Sequence, residues 1–388
     1  MAKFLWASFD GGGNVPPALG ISRSLIEAGH EVTFVGRPEM LLRVRPAGFD
    51  AMELRWSYTH ADRYSWHRRG RLFSYLSSPL VGDELLAVVT REQPDAVVVD
   101  AMFGAALAVA PHFGVPTAAV MHTLFHRTLD GWREMMWAQS EARLGSGFEG
   151  LPSLEKLWGD LDLLQANTLA KFDTEPLQWW HNLRYGWPIF QDDNRSVPVR
   201  LPWPQSDPTP LVLVSFSTAD VQISLGKLQR TLDALAGLPV HVVATTSDNN
   251  IAKLRIADNA YVVPFATHGP LMRRASLVVT HGGHGTVMRA LSHGLPMVCV
   301  TGKAADQEAA SFDQEPVANL VEEYGVGRSV PAEASVAQIR AAIRAVLEAP
   351  EARRKARSLA GGLMARDGAT EAAGQLTALL SLSRSQSS

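Results

Sequence analysis

Residues 277–286 read Leu277-Val278-Val279-Thr280-His281-Gly282-Gly283-His284-Gly285-Thr286. Leu277–Thr280 is a short apolar strand, and three glycines lead from it into a helix over Gly285–His293. In such a strand–glycine turn–helix unit the backbone can approach a ligand closely. The helix N-terminus adds unpaired N–H groups and the positive end of a dipole. That combination holds phosphate without needing a metal. A purely structural turn is the plainer alternative. A metal site from His281, His284 and His293 is a weaker one, because a glycine-rich turn aims those side chains in different directions and no carboxylate sits at a ligand-like spacing.

Outward from this unit the chain alternates strand and helix. Downstream come a strand over Pro296–Val300, a helix near Val317–Tyr324, helices from about Val336, and a serine-rich, frayed tail, Ser381–Ser388. Upstream lie strands over Leu211–Phe216, Val240–Ala244 and Tyr261–Val263, with helices over Ile223–Ala236 and Pro270–Arg274. A proline-rich stretch, Pro188–Pro210, reads as a semi-rigid linker. Before it the same alternation appears: strand Lys3–Phe9, turn Asp10–Asn14, helix Pro16–Ala28, strand Glu31–Val35, then a βαβ repeat over Ala96–Asp100, Phe103–Phe113 and Pro116–Val120. Residues 56–72 read as a loop insertion whose positive charge is a solvated face. The expected fold class is α/β with two Rossmann-like parallel-sheet domains facing a central cleft. The boundaries are 1–195, a linker over 196–210, 211–365, and a C-terminal helix and tail over 366–388.

Composition narrows the function classes. A chain of 388 residues at 46% hydrophobic and 19% charged is ordinary globular material, long enough for two cores. A net charge of −3 leaves no electrostatic footprint for nucleic acid, and a single cysteine, Cys299, excludes a disulfide framework. No apolar run approaches membrane-spanning length, so a cytoplasmic protein without membrane or nucleic-acid partners is expected. All ten tryptophans fall at or before residue 203, which suggests that the two halves differ in task.

The run His281–Pro296, closed by Gly294-Leu295-Pro296, resembles the sugar-nucleotide signature of the natural-product glycosyltransferases, the nucleotide-sugar-dependent group with the GT-B fold. The resemblance extends over nearly the whole chain. It implies a UDP- or dTDP-sugar donor, a small-molecule acceptor, no metal or other cofactor, and a homodimer as one expected assembly. By the same resemblance, Ser217 and Thr218 and the helix start His281, Gly283, His284, Gly285 and Thr286 hold the diphosphate, and Phe265 and His268 take the base. Phe265 and His268 stand where the family carries a tryptophan and a glutamine. The family's sugar-binding Asp-Gln pair occurs twice here, as Asp306-Gln307 and Asp313-Gln314; Asp306-Gln307 is the slightly favoured choice because Gly302–Ala305 leads into it directly from the strand.

The first domain should hold the acceptor and the base. Gly13-Asn14-Val15-Pro16-Pro17 matches the family's loop, but its catalytic histidine is replaced by Asn14, which cannot accept a proton near neutrality. Asp100 matches the aspartate that orients that histidine. Substitute bases on the same rim are Asp10 and His122, with His126 one helical turn on. Trp132, Trp137 and Trp158, with His126, are candidate walls for the acceptor.

The expected activity is inverting, metal-independent transfer of a sugar to an aromatic or polyketide-type acceptor, O-linked by default. Asn14 leaves C-glycosylation of a phenolic acceptor open, and a non-catalytic sugar-nucleotide-binding auxiliary is the rival from another class. A nicotinamide oxidoreductase is disfavoured, because Pro16 stands where the third glycine of its phosphate loop belongs and Gly36-Arg37 follows the second strand instead of an acidic residue.

Overall fold

The computed structural model describes residues 1–55, 69–173, 180–191, 199–216, 222, 224–246, 251–307 and 311–385. The chain forms two compact units. The first contains Met1–Asn194 and Arg366–Ser388, and the second Arg195–Ala365.

In the first unit, strands β1 (Lys3–Ala7), β2 (Glu31–Gly36), β3 (Asp50–Glu53), β4 (Ala96–Asp100), β5 (Thr117–Met121), β6 (Leu163–Ala166) and β7 (Leu183–Tyr185) form one sheet in the order β3-β2-β1-β4-β5-β6-β7. Neighbouring strands are parallel throughout, with Phe4 opposite Val32 on one side and Ala96 on the other. β4 and β5 are buried along their whole length, as strands covered on both faces must be. The helix Val15–Glu27 carries Pro16 and Pro17 in its first turn, where a missing N–H costs no helical bond.

The second unit repeats the plan. Strands β8 (Leu211–Ser215), β9 (His241–Thr245), β10 (Ala260–Val263), β11 (Ala275–Thr280), β12 (Met297–Thr301) and β13 (Gly327–Pro331) lie in the order β10-β9-β8-β11-β12-β13, again all parallel. Its core joins Val212, Val214, Val279, Val298 and Val300 from the sheet with Leu228, Leu232, Ile339 and Ile343 from helices. Two parallel α/β sheets of seven and six strands are the architecture expected from the alternation.

Two boundaries differ from the linear reading. Residues 199–210 are not a free linker. Trp203 stacks on His241 at 4.1 Å, and His241 Nε2 lies 2.9 Å from Asp207 Oδ2, so the stretch is fastened to the start of β9. The second difference is the last helix, Gly368–Ser385. It is no separate tail but part of the first unit, and Ala372, Ala373, Leu376 and Leu379 enter the same core as Phe4, Trp6, Leu19 and Leu25. Gly368 starts it so close to the chain that a Cβ there would lie 2.5 Å from the Trp187 carbonyl oxygen. Residues 56–68 of the expected loop insertion fall outside the described residues, and from Arg69 the chain is helical to Ser77. No helix among the described residues is long and apolar enough to cross a membrane.

Leu376 is completely buried in the first unit's core. Leu376→Ala is therefore expected to cost about 2–5 kcal/mol. In urea unfolding the loss should appear in the transition of the first unit and not in that of the second.

Candidate functional site

The carboxyl ends of β1, β4 and β5 gather three of the candidate residues of the first unit. Asn14, buried in the loop after β1, uses its whole amide: Oδ1 accepts from the Gly11 N–H at 3.0 Å, and Nδ2 donates to the Phe9 carbonyl at 2.9 Å and to Asp100 Oδ2 at 2.7 Å. Asp100, the last residue of β4, also accepts from the Met102 N–H at 2.9 Å. Burial raises the Asp100 pKa, while the nearby His122, the Asn14 amide and the Met102 N–H oppose that rise. His122 follows β5 directly. Its ring packs against the β1 loop, where a Cβ added to Gly13 would lie 3.7 Å from its Cδ2 and 4.0 Å from its Nε2. Buried Nδ1 of His122 has no hydrogen-bond partner among the described residues.

Other first-unit candidates are placed differently. Asp10 is clamped by Arg43, whose Nη1 donates to Oδ1 at 3.1 Å and Oδ2 at 3.0 Å, while Gly12 N–H donates to Oδ1 at 3.0 Å. Its carboxylate thus ties the loop after β1 to Arg43. His126 has its backbone N–H on Asp173 Oδ2 at 2.9 Å and its ring edge-on to Phe125 at 4.6 Å. Burial lowers its pKa, with Asp173 opposing. The Asp173 carboxylate also accepts from the N–H groups of Phe125 and Arg127 and from the Tyr185 hydroxyl, a cap for the following helix.

The tryptophan expectation is corrected. Trp132 and Trp158 have no exposed surface and meet edge to face at 5.3 Å, with Trp180 and Phe125 completing the cluster. Each indole N–H has a backbone acceptor, Leu124 for Trp132 and Ala101 for Trp158. A side chain with no exposed surface lines no open pocket; these two are core. Trp137 is 66% exposed and meets solvent on the Leu129–Gly145 helix.

In the second unit the glycine turn after β11 opens the helix His284–Ser292, with Gly283 as its cap. Two glycines here are required by space. Gly282 has φ of +88°, and a Cβ on it would lie 2.7 Å from the Gln314 carbonyl oxygen. A Cβ on Gly283 would lie 2.5 Å from His281 Nε2, so the imidazole rests directly on the helix start. Burial, helped by the charge of Lys227, pushes the His281 pKa down to about 3, against a weaker opposing contribution from the Ser215 backbone. His281 is therefore a neutral hydrogen-bonding group at physiological pH, not a cation. Gly285 is exposed and Thr286 half-buried in the first turn, whereas His284 is buried.

At the end of β9, Thr245 Oγ1 hydrogen-bonds His268 Nε2 at 3.1 Å, and Phe265 lies half-buried between β10 and the His268–Arg274 helix. Ser217 and Thr218 lie outside the described residues.

The two Asp-Gln pairs are now distinguishable. Asp306 accepts from the Ser224 hydroxyl and from the Gly226 N–H at 2.8 Å, capping the helix Leu225–Leu235. Burial would raise its pKa, but these bonds and Arg230 outweigh it and hold the carboxyl low. Gln307 accepts from the Ala304 N–H at 2.7 Å and donates to the Gln222 carbonyl. Both side chains are spent on local structure. Gln314 begins the helix Gln314–Glu323 beside Gly282, is buried, and keeps its Oε1 without a partner among the described residues. Asp313, in turn, accepts from the Ser311 hydroxyl, so the clearest difference between the pairs is the unpartnered Oε1 of Gln314.

One residue that the sequence reading passed over is Lys227. It is 1% exposed, and its Nζ has no hydrogen-bond partner among the described residues. Nζ lies 5.3 Å from the centre of the Phe216 ring, at the end of β8. Burial, with Arg230 adding to it, lowers its pKa to about 8 despite the attraction of Asp306 and Glu333. The legible signal was its position: a lysine three residues after the capping Ser224 stands at the positive end of a helix dipole, where cations are disfavoured.

Comparison with known proteins places this geometry. Residues 229–379 match the family described as "Erythromycin biosynthesis protein CIII-like, C-terminal domain". The chain is 35% identical over 104 residues to the aclacinomycin-T 2-deoxy-L-fucose transferase of Streptomyces galilaeus, an alignment covering 27% of this chain and 21% of that protein. Across the curated relatives it matches, the chain spans between about a fifth and two fifths of their length. The whole fold superposes on the glycotransferase of kitacinnamycin, with a TM-score of 0.76 at 18% identity, covering 98% of this chain and 99% of that one. The glycosyltransferase VinC in complex with dTDP gives 0.73 at 18% identity, covering 98% and 99%. These likenesses establish the fold as GT-B.

A histidine with a depressed pKa makes folding favour its neutral form, so its contribution to stability is full above about pH 6.5 and declines as pH falls from there towards 3. Accordingly, 15N shifts of the His281 ring should report a neutral imidazole from pH 8 down to pH 5. Gly283→Ala, by displacing the ring, should raise its pKa while leaving the fold intact.

Proposed function

We propose that this chain is an inverting glycosyltransferase that moves a sugar from a UDP- or dTDP-sugar to an aromatic or polyketide-type small molecule, without a metal ion. The observation that carries the reading is the packing of the neutral His281 ring on the glycine-capped start of the His284–Ser292 helix, where β8 and β11 lie side by side. Helix N–H groups and an imidazole N–H offer several donors to a diphosphate there. The family match over 229–379 supports placing the donor in this unit, and the dTDP complex of VinC supports a nucleotide ligand for the fold. Phe265 takes the base, with His268 beside it. Gln314, whose backbone lies against Gly282 and whose side-chain Oε1 has no partner among the described residues, and Asp313 take the sugar hydroxyls.

The first unit takes the acceptor, and His122 replaces the missing histidine as its base. In the transfer, the acceptor hydroxyl gives its proton to the His122 ring while its oxygen bonds to the anomeric carbon. The bond from that carbon to the diphosphate oxygen breaks, and the electron pair leaves with the nucleoside diphosphate. Attack opposite the leaving group inverts the anomeric centre. As His122 gains charge, buried Asp100 stabilises the imidazolium, and the Asn14 amide holds Asp100 in place for that task. Asn14 is thus a positioning residue, which accounts for an amide where the resemblance leads one to expect a base.

A mass-spectrometric screen of UDP- and dTDP-sugars against phenols and macrolactones tests the activity; a product stable to acid would overturn the O-linkage, and slow nucleotide release with every acceptor would leave only a binding protein. Within an active pair, His122→Ala should lower kcat by roughly 10²–10⁴-fold with donor KM nearly unchanged, and added imidazole should restore part of it. Asp10→Asn should change kcat far less, since Asp10 already belongs to Arg43.

A further inference from the structure

Lys227 is the group in the second unit whose burial the local structure does not explain. An ammonium is expensive to desolvate, and a buried one normally has hydrogen-bonding partners. This one has none among the described residues, is 1% exposed, and stands in the first turn of a helix whose dipole opposes it. A methionine would fill the same space over the Phe216 ring without these costs.

The carboxylates of Asp306 and Glu333 attract Lys227 from a distance, and no described residue bonds to its Nζ. Asp306 accepts from Ser224 and Gly226, and Arg230 pairs with Glu333 at 3.1 Å. His281 is close enough to feel the lysine's charge and carries none of its own. The ammonium is therefore held between the end of β8 and the loop after β11, beside the ring that rests on the helix start at His284.

We propose that Lys227 is the counter-charge for the diphosphate of the nucleotide donor, acting with His281 and the start of the His284–Ser292 helix as one anion site. The proposal rests on the donor reading given above and adds to it the positive charge that a neutral imidazole does not supply. A departing nucleoside diphosphate gains negative charge, so a lysine here strengthens product binding as well as departure from the sugar.

The test is titration calorimetry of wild type and Lys227→Met with UDP, dTDP, uridine and thymidine, alongside thermal unfolding. Lys227→Met is expected to bind the diphosphate that wild type prefers about 10–100-fold more weakly, the size of one charge-assisted hydrogen bond. It should bind the matching nucleoside within about twofold of wild type, and its Tm should be equal or higher because an uncompensated buried charge is gone. Lys227→Leu serves as a second variant and should behave alike. Unchanged diphosphate affinity in folded variants overturns the role of Lys227 and leaves the donor reading standing. Equal loss of nucleoside and diphosphate binding also overturns it, because that marks a general disturbance of the unit. If wild type itself binds neither UDP nor dTDP, the donor reading falls and this proposal falls with it.

Discussion

Where the order of a parallel sheet reverses, the helices that follow two neighbouring strands leave to opposite faces, and the carboxyl ends of those strands stay uncovered. This chain meets that constraint twice, between β1 and β4 and between β8 and β11. At the first reversal stand Asn14 and Asp100, with His122 one strand further on. At the second stand Phe216 and the loop beginning at His281. The remaining residues with assigned roles follow strands further out, as Phe265 and His268 follow β10 at the edge of the second sheet.

Asp100 at the first gap and Lys227 at the second are both buried ionisable groups, and the two are of opposite sign. Asp100 is a desolvated acid whose pKa is raised, tempered by an amide that donates to it at 2.7 Å. Lys227 is a desolvated base whose pKa is lowered, with no hydrogen bond from the described residues to temper it. Low-dielectric surroundings make both groups more responsive to an incoming charge than their exposed counterparts would be. An imidazole gaining a proton suits the first, and a diphosphate suits the second. Under the proposed roles, the difference in compensation follows from the difference in partner: a proton acceptor next to Asp100 is permanent, whereas an anion next to Lys227 comes and goes.

How far the sequence could be read depended on how local each signal is. Parallel strands show as runs such as Ala96–Asp100 and Leu211–Ser215, and the glycine turn at 282–285 shows its close approach in its own residues, so the architecture and the strand–turn–helix geometry there were legible. Partners distant in sequence were not. Asp10 looks like a free carboxylate until Arg43, 33 residues on, takes it. Trp132 and Trp158 look like pocket walls until their 5.3 Å packing shows a core. Duplicate Asp-Gln pairs were indistinguishable by spacing, and their partners, Ser224 and Gly226 for Asp306 and Ser311 for Asp313, appear only in the folded chain. Lys227 carried a faint local sign in its place on the helix, but its burial is a tertiary property that no neighbouring residue announces.

The helix Gly368–Ser385 gives the chain an order of assembly. Because it fills the core of the first unit from the far end of the sequence, the second unit is, in chain terms, an insertion within the first. A ribosome making this protein completes all the second unit's residues before the first unit's last core side chains exist. Until then the Val15–Glu27 helix waits with an apolar flank uncovered, as its partners Leu376 and Leu379 have not been synthesised. The unit that begins the polypeptide is thus the one that matures last, and the usual N-terminal-first sequence of domain folding is inverted.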